Sequence, residues 1–153
     1  MTKRIISLAL AVLLLTALTG CGMEHIEDTN GADNFELQQI TDDNIRNRDI
    51  GALNITEANS VVSDTVTYKS NKFTGVYEVF TTNIITNRFE ITVNHARVDE
   101  GNFKMVLCVD DEIVHTFTLN ELTQTFVLED VRGTVSLRIA GESAKFQFDY
   151  LVY

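Results

Sequence analysis

The sequence predicts an all-β domain: an antiparallel β-sandwich, jelly-roll-like or immunoglobulin-like, of about eight short strands. Three observations lead there. Beyond residue 60, β-branched and aromatic residues alternate with polar ones at a period of two, as on a pleated, half-buried surface. Clusters of Asn, Asp, Glu and Gly interrupt that alternation roughly every 8 to 12 residues. No helical period separates the segments, so the crossover helices that parallel pairing needs are missing. A length of 153 residues, 44% hydrophobic and 22% charged, suits one globular domain, and no fixed repeat points to a solenoid or propeller.

Taken in order, residues 35–50 (FELQQITDDNIRNRDI) fit neither period and read as a strand followed by a turn or short helix. Val62 to Lys69 and Lys72 to Thr81 read as two strands joined at Ser70-Asn71, carrying Tyr68, Phe73, Tyr77 and Phe80. Phe89, Ile91, Val93 and His95 then alternate with Glu90, Thr92, Asn94 and Ala96, giving one apolar and one polar face. Asp99-Glu100-Gly101-Asn102 supplies turn chemistry before Phe103, Met105, Leu107 and Val109 restart the alternation. Asp110-Asp111-Glu112 makes the next turn, into Ile113, His115, Phe117 and Leu119. Thr125 to Leu128, a turn through Glu129 to Gly133, and Val135, Leu137 and Ile139 against Ser136, Arg138 and Ala140 continue the pattern. Gly141-Glu142 marks a last turn before Phe146, Phe148 and Tyr150.

The residues ahead of this domain read as an address. Lys3 and Arg4 precede an uncharged apolar run, Ile5 to Leu18, too short for the roughly 20 residues of a membrane span and built like a secretory signal. The run ends in Leu18-Thr19-Gly20-Cys21, which resembles the lipobox of bacterial lipoproteins. That resemblance implies diacylglycerol on the Cys21 sulfur with palmitate-class acyl chains. It also implies cleavage between Gly20 and Cys21, with Leu18, Thr19 and Gly20 read by the lipoprotein signal peptidase. The expected organisation is therefore a signal peptide at 1–20, the lipidated cysteine and a flexible acidic tether at 21–34, and the β-sandwich at 35–153. Two acyl chains suffice for stable anchoring. The expected location is the extracytoplasmic face of the cell membrane. Gly22 after the cysteine leaves a Gram-positive membrane, favoured here, or a Gram-negative outer membrane open. With Cys21 carrying lipid, Cys108 has no disulfide partner in the chain. The pattern from FEITVNHARV through TVSLRIAGESAKFQFDY is similar to that of small β-sandwich domains in uncharacterised lipoproteins of Gram-positive bacteria. This likeness brings no catalytic motif with it.

Twelve basic against 22 acidic residues give a formal charge of −10, which opposes phosphate binding, so no nucleic-acid partner is expected. Loss of residues 1–20 removes Lys3 and Arg4 and no acid, leaving −12. Acyl chains rather than a polybasic patch then hold the protein at an anionic surface. Residues 22–34 (GMEHIEDTNGADN), with His25 in solvent, give the tether a reach of about 20 Å, which places any partner near the membrane.

Candidate chemistry is thin. His95 and His115 on apolar strand faces can be imagined as metal ligands, yet core or edge-of-core packing is the reading adopted. Asp110, Asp111 and Glu112 suit calcium by residue type and hairpin initiation by position, and the turn is preferred. Cys108 alternates onto the face opposite Met105, Leu107 and Val109, so a tight turn puts it on the other side of the sheet from His115 and leaves it buried and inert. Tyr68, Tyr77 and Tyr153 are candidates for a sugar platform or for core and sheet-edge packing. Arg132-Gly133-Thr134 is assigned no adhesion role, and the Asn54-Ile55-Thr56 sequon is uninformative after bacterial export. No cofactor is expected. The expected function is a noncatalytic binding or assembly module for an envelope protein or glycan, with a hydrolase or metal-dependent envelope enzyme as the alternative.

Overall fold

The period-two segments form strands, but fewer and longer ones than their punctuation suggests. A computed structural model describes residues 35–53, 60–62 and 65–153; the signal segment, Leu18-Thr19-Gly20-Cys21, the tether and the Asn54 sequon lie outside the described residues. After helix α1 (Asp42–Asn47) come β1 (Ser60–Val62), β2 (Thr65–Ile85), β3 (Arg88–Val109), β4 (Glu112–Thr116), β5 (Thr123–Glu129) and β6 (Arg132–Val152). All pairings are antiparallel within one open sheet of order β1-β2-β6-β3-β4. β5 also pairs with β3. Because β6 occupies the opposite edge of β3 along residues 91–94 and 102–109, β5 and β4 lie end to end on one edge of β3.

The antiparallel β class is as expected, whereas among the described residues the separate strands number six rather than about eight. Each of the three long strands reads as two because it carries turn residues at its middle. Those residues sit side by side. Register shifts fall between Ser70 and Gly75 against β6, and between Val98 and Asn102 against β6. Gly75 pairs with Gly141, Phe103 also pairs with Gly141, and Asn102 pairs with Glu142. Ser70-Asn71, Asp99–Asn102 and Gly141-Glu142, expected as chain reversals, instead form one transverse crease of β-bulges, where extra residues bend each strand without ending its pairing. Gly101 has φ +74°, and a Cβ there would lie 2.5 Å from the Ser143 carbonyl oxygen, so only glycine fits.

The crease folds the sheet so that its two limbs share an interior. Tyr68 of the first limb donates a hydrogen bond to the Val79 carbonyl of the second (3.3 Å). The Phe80 ring lies 5.4 Å from Tyr150, and His115 of β4 stacks on Phe126 of β5 at 4.1 Å. Met105, Leu107, Val135, Leu137 and Ile139 meet Ile91, Val93, Phe146 and Phe148 in one buried cluster. At about 25 cal/mol per Å² of apolar surface this interior is the main stabilising term.

The outer face of the second limb is covered by residues 35–50, a strap crossing the sheet. No strand forms there; the short helix does. Thr41 caps α1 in a reciprocal capping box with Asn44, and Arg48 ends it in the left-handed region at φ 57°. Ile40 and Ile45 bury against Val76, Val106, Cys108 and Ala140, a second small core. This explains why residues 35–50 match neither period: a six-residue helix with one fully buried position has no stripe to display.

Candidate functional site

The strap is held by charge. Arg138 points from mid-β6 under α1 and is almost wholly buried, its side chain 2% exposed. Its guanidinium donates to the carbonyls of Ile45 (3.2 Å) and Arg46 (2.7 Å), to Glu78 (3.3 Å) and to Asp111. Arg48 adds a 3.0 Å bond to Glu78 and lies 3.5 Å from Asp111. The planar, five-donor guanidinium can satisfy helix-end carbonyls and carboxylates together, which a lysine cannot. The hydrogen bond from Arg138 holds the Asp111 carboxyl below its ordinary range. Alternation alone placed Arg138 on a polar outer face; the available hint was its small neighbours, Ser136 and Ala140, which let another segment approach.

A second anchor is Glu142, at the crease. Its carboxylate accepts hydrogen bonds from the backbone N–H groups of Gln38 (2.9 Å), Gln39 (2.6 Å) and Ile40 (2.9 Å) and from the Asn102 amide (3.0 Å). Burial alone would raise this carboxyl, but the Asn102 and backbone donors outweigh it and hold it at about 2. Lys104 pairs with Asp42 at 2.6 Å beside it.

The residues singled out from sequence do not gather. His95 is a correction: expected on the apolar face, it is exposed, its side chain 65% accessible, with φ 52° and Nδ1 3.6 Å from Asp149. A register shift between Asn94 and Arg97 reverses the parity, so Ala96 takes the interior position. His115 keeps its expected side, between Phe126 and the edge of Phe117, and burial lowers its pKa below 6.5. Cys108 is fully buried in the second core, opposite Met105 and Leu107, and burial pushes its thiol up. Its partner across β4 is Ile113, while His115 pairs with Leu107, so thiol and imidazole lie on opposite faces.

Asp110 and Asp111 both adopt positive φ in the β3–β4 turn. Their side chains diverge with that of Glu112: Asp110 accepts from the Thr134 N–H (2.8 Å), Asp111 from Arg138, and Glu112 lies 3.4 Å from Arg46. Among the described residues no three His, Cys, Asp or Glu side chains are grouped to hold a metal ion. The tyrosines offer no common platform: Tyr68 is buried, with Tyr77 6.3 Å away in the interior, and only Tyr153 is exposed. A polar concavity of about 240 Å³ lies at the β2–β3 and β5–β6 turns, lined by Ile85, Thr86, Asn87, Asp130 and Arg132. His95, His115 and Cys108 are not among its lining residues. No described helix is long and apolar enough to cross a membrane.

What remains is an edge. The His95 N–H bonds the Leu122 carbonyl (2.8 Å) and the Asp130 N–H bonds the Asn87 carbonyl (2.8 Å). Antiparallel alternation between these points turns the backbone groups of Gln124, Phe126 and Leu128 toward β3. Those of Thr123, Thr125, Val127 and Glu129 face outward. Among the described residues no strand lies beyond them. β5 pairs with β3 from Arg88 to Asn94 without a register shift and contains no Lys, Pro or Gly. The other edges are interrupted: β2 is met by β1, Leu53 and Ile50 between Thr65 and Val76 and has a register shift between Glu78 and Phe80 in its remaining stretch, and the β3–β4 ladder has a register shift after Leu107. Alternation makes Thr125 to Leu128 a strand, and the sheet order, which distant segments set, makes it peripheral.

A scan of protein-family models and a search of curated proteins each return no match to this chain.

Proposed function

We propose that the protein is a lipid-anchored lipoprotein on the extracytoplasmic face of a bacterial membrane, held through Cys21, whose folded domain is a noncatalytic binding or assembly module for an envelope protein. In this reading the two limbs of the creased sheet act as the layers of a sandwich-like domain, and the 21–34 tether keeps it near the headgroups. The observation that carries the binding role is the regular β5 edge, which has a single charge, Glu129 at its end, and lacks the lysines, prolines and bulges that proteins use to block strand addition. Supporting it, among the described residues His95, Cys108, Asp110 and Asp111 are spread over different faces or engaged with structural partners.

Crosslinking in intact membranes, comparing the native chain with Cys21→Ala, tests the reading. A specific polypeptide captured by the native chain and lost from the variant supports it. Recovery of wall glycan in place of polypeptide would transfer the module to carbohydrate binding. A variant that still fractionates with membranes would remove the lipid anchor from the proposal.

A further inference from the structure

The geometry points to the partner's chemistry: an extended polypeptide segment, alternating apolar and basic residues, that adds to the sheet as an antiparallel strand along β5. This inference rests on the binding-module reading above and names what that module takes.

Outward N–H and C=O groups recur at Thr123, Thr125, Val127 and Glu129, at a spacing of about 7 Å. A polypeptide backbone in extended form offers the complementary row of acceptors and donors at that repeat; a glycan does not. Antiparallel addition continues the pairing of every neighbour in the sheet and is the more stable arrangement per residue. An added strand presents alternate side chains to two environments. On the interior side it meets the half-buried Phe126 and Leu128, so apolar residues there extend the existing cluster. On the other side it meets Thr123, Thr125, Val127 and Glu129.

Charge selects among polypeptides. The strand itself carries one charge, that of Glu129, and Glu121 and Asp130 stand exposed at its two ends. Arg88, beside it on β3, is already engaged by Glu90 (2.6 Å) and Glu129 (3.4 Å). Basic residues on the outer side of the incoming strand match this edge. A second copy of the chain, at a formal −10, brings like charge to it.

The test uses the full chain in detergent and a fluorescent nine-residue peptide of alternating valine and lysine, with an alternating valine–glutamate peptide and a backbone N-methylated valine–lysine peptide as controls. The blocking variant is Val127→Pro. Its lost N–H faces outward, so the β3 ladder keeps its bonds. An unchanged thermal midpoint for Val127→Pro shows that the fold is intact; Thr125→Pro serves the same purpose if it is not. Expected are saturable anisotropy with the lysine peptide, at least tenfold weaker binding by the proline variant and by both control peptides, and slowed amide exchange confined to residues 123–129. Equal binding of the glutamate peptide overturns the basic assignment. Equal binding of the methylated peptide or of the proline variant, or protection elsewhere, overturns strand addition at β5. A concentration-dependent dimer abolished by Val127→Pro makes the occupant a second copy and likewise overturns the proposal. Capture of the same envelope protein in membranes by Val127→Pro and native chain alike would leave the module reading standing while this inference fell.

Discussion

Glu142 shows how one side chain can hold a segment that has no secondary structure to hold itself. Three consecutive backbone donors converge on its carboxylate, and ionised acceptors make stronger hydrogen bonds than neutral ones. Glu142→Gln is expected to lower stability by about 1–2 kcal/mol, read from the denaturant midpoint at pH 7. The sign of the pH effect follows from its carboxyl being depressed from 4.5 to about 2. The contribution is complete above 4.5 and is lost as pH falls through that window, so acid unfolding of the native chain between pH 4.5 and 2 should be shallower in the Gln variant. His115 acts at a higher pH. Burial favours its neutral form, so stability is full above 6.5 and declines below it as the unfolded chain alone takes up protons. Thermal midpoints of His115→Phe, which keeps a ring against Phe126, should lose the part of that decline that lies just below pH 6.5.

Among the elements, the strap and the crease carry separate consequences. Arg138 is what α1 closes over, and removing one partner from a buried ionic network leaves the others uncompensated. Arg138→Ala should cost about 3–5 kcal/mol, and if the strap loosens as expected, the Cys108 thiol beneath it should react with a disulfide reagent faster than in the native chain, in which it is fully buried. At the crease, Gly101→Ala forces a Cβ toward the Ser143 carbonyl at positive φ and should destabilise by about 1–3 kcal/mol, measured by chemical denaturation. Three turn signals legible in the sequence, at Ser70-Asn71, Asp99–Asn102 and Gly141-Glu142, were real breaks in alternation. A break says that the backbone leaves regular β geometry; it does not say whether the chain reverses or bends. At Asp110-Asp111 it reverses, with both residues at positive φ, and at the crease it bends because neighbouring strands break at the same level.

For the whole molecule, the proposal of an acidic domain tied to acyl chains through residues 21–34 confines binding to the neighbourhood of a surface that repels its charge, so the anchor it invokes sets where binding occurs. Cell fractionation should find Cys21→Ala chiefly in the soluble extracytoplasmic fraction. The sequence by itself determined the antiparallel β class, the hairpin turns at Asp110-Asp111 and around Asp130, and the face on which Cys108 lies. Each of these follows from local alternation or local turn chemistry, which neighbouring residues are enough to impose. Tertiary structure alone decided that the paired halves would be single creased strands, that His95 would face solvent, that Arg138 would be buried and that β5 would form an edge. Those outcomes depend on which distant segments share hydrogen bonds and which lie over a given face. The one-residue shift at Asn94–Arg97 shows the physical reason: a bulge set by pairing with β6, some fifty residues away along the chain, exchanges inside for outside without any change in composition.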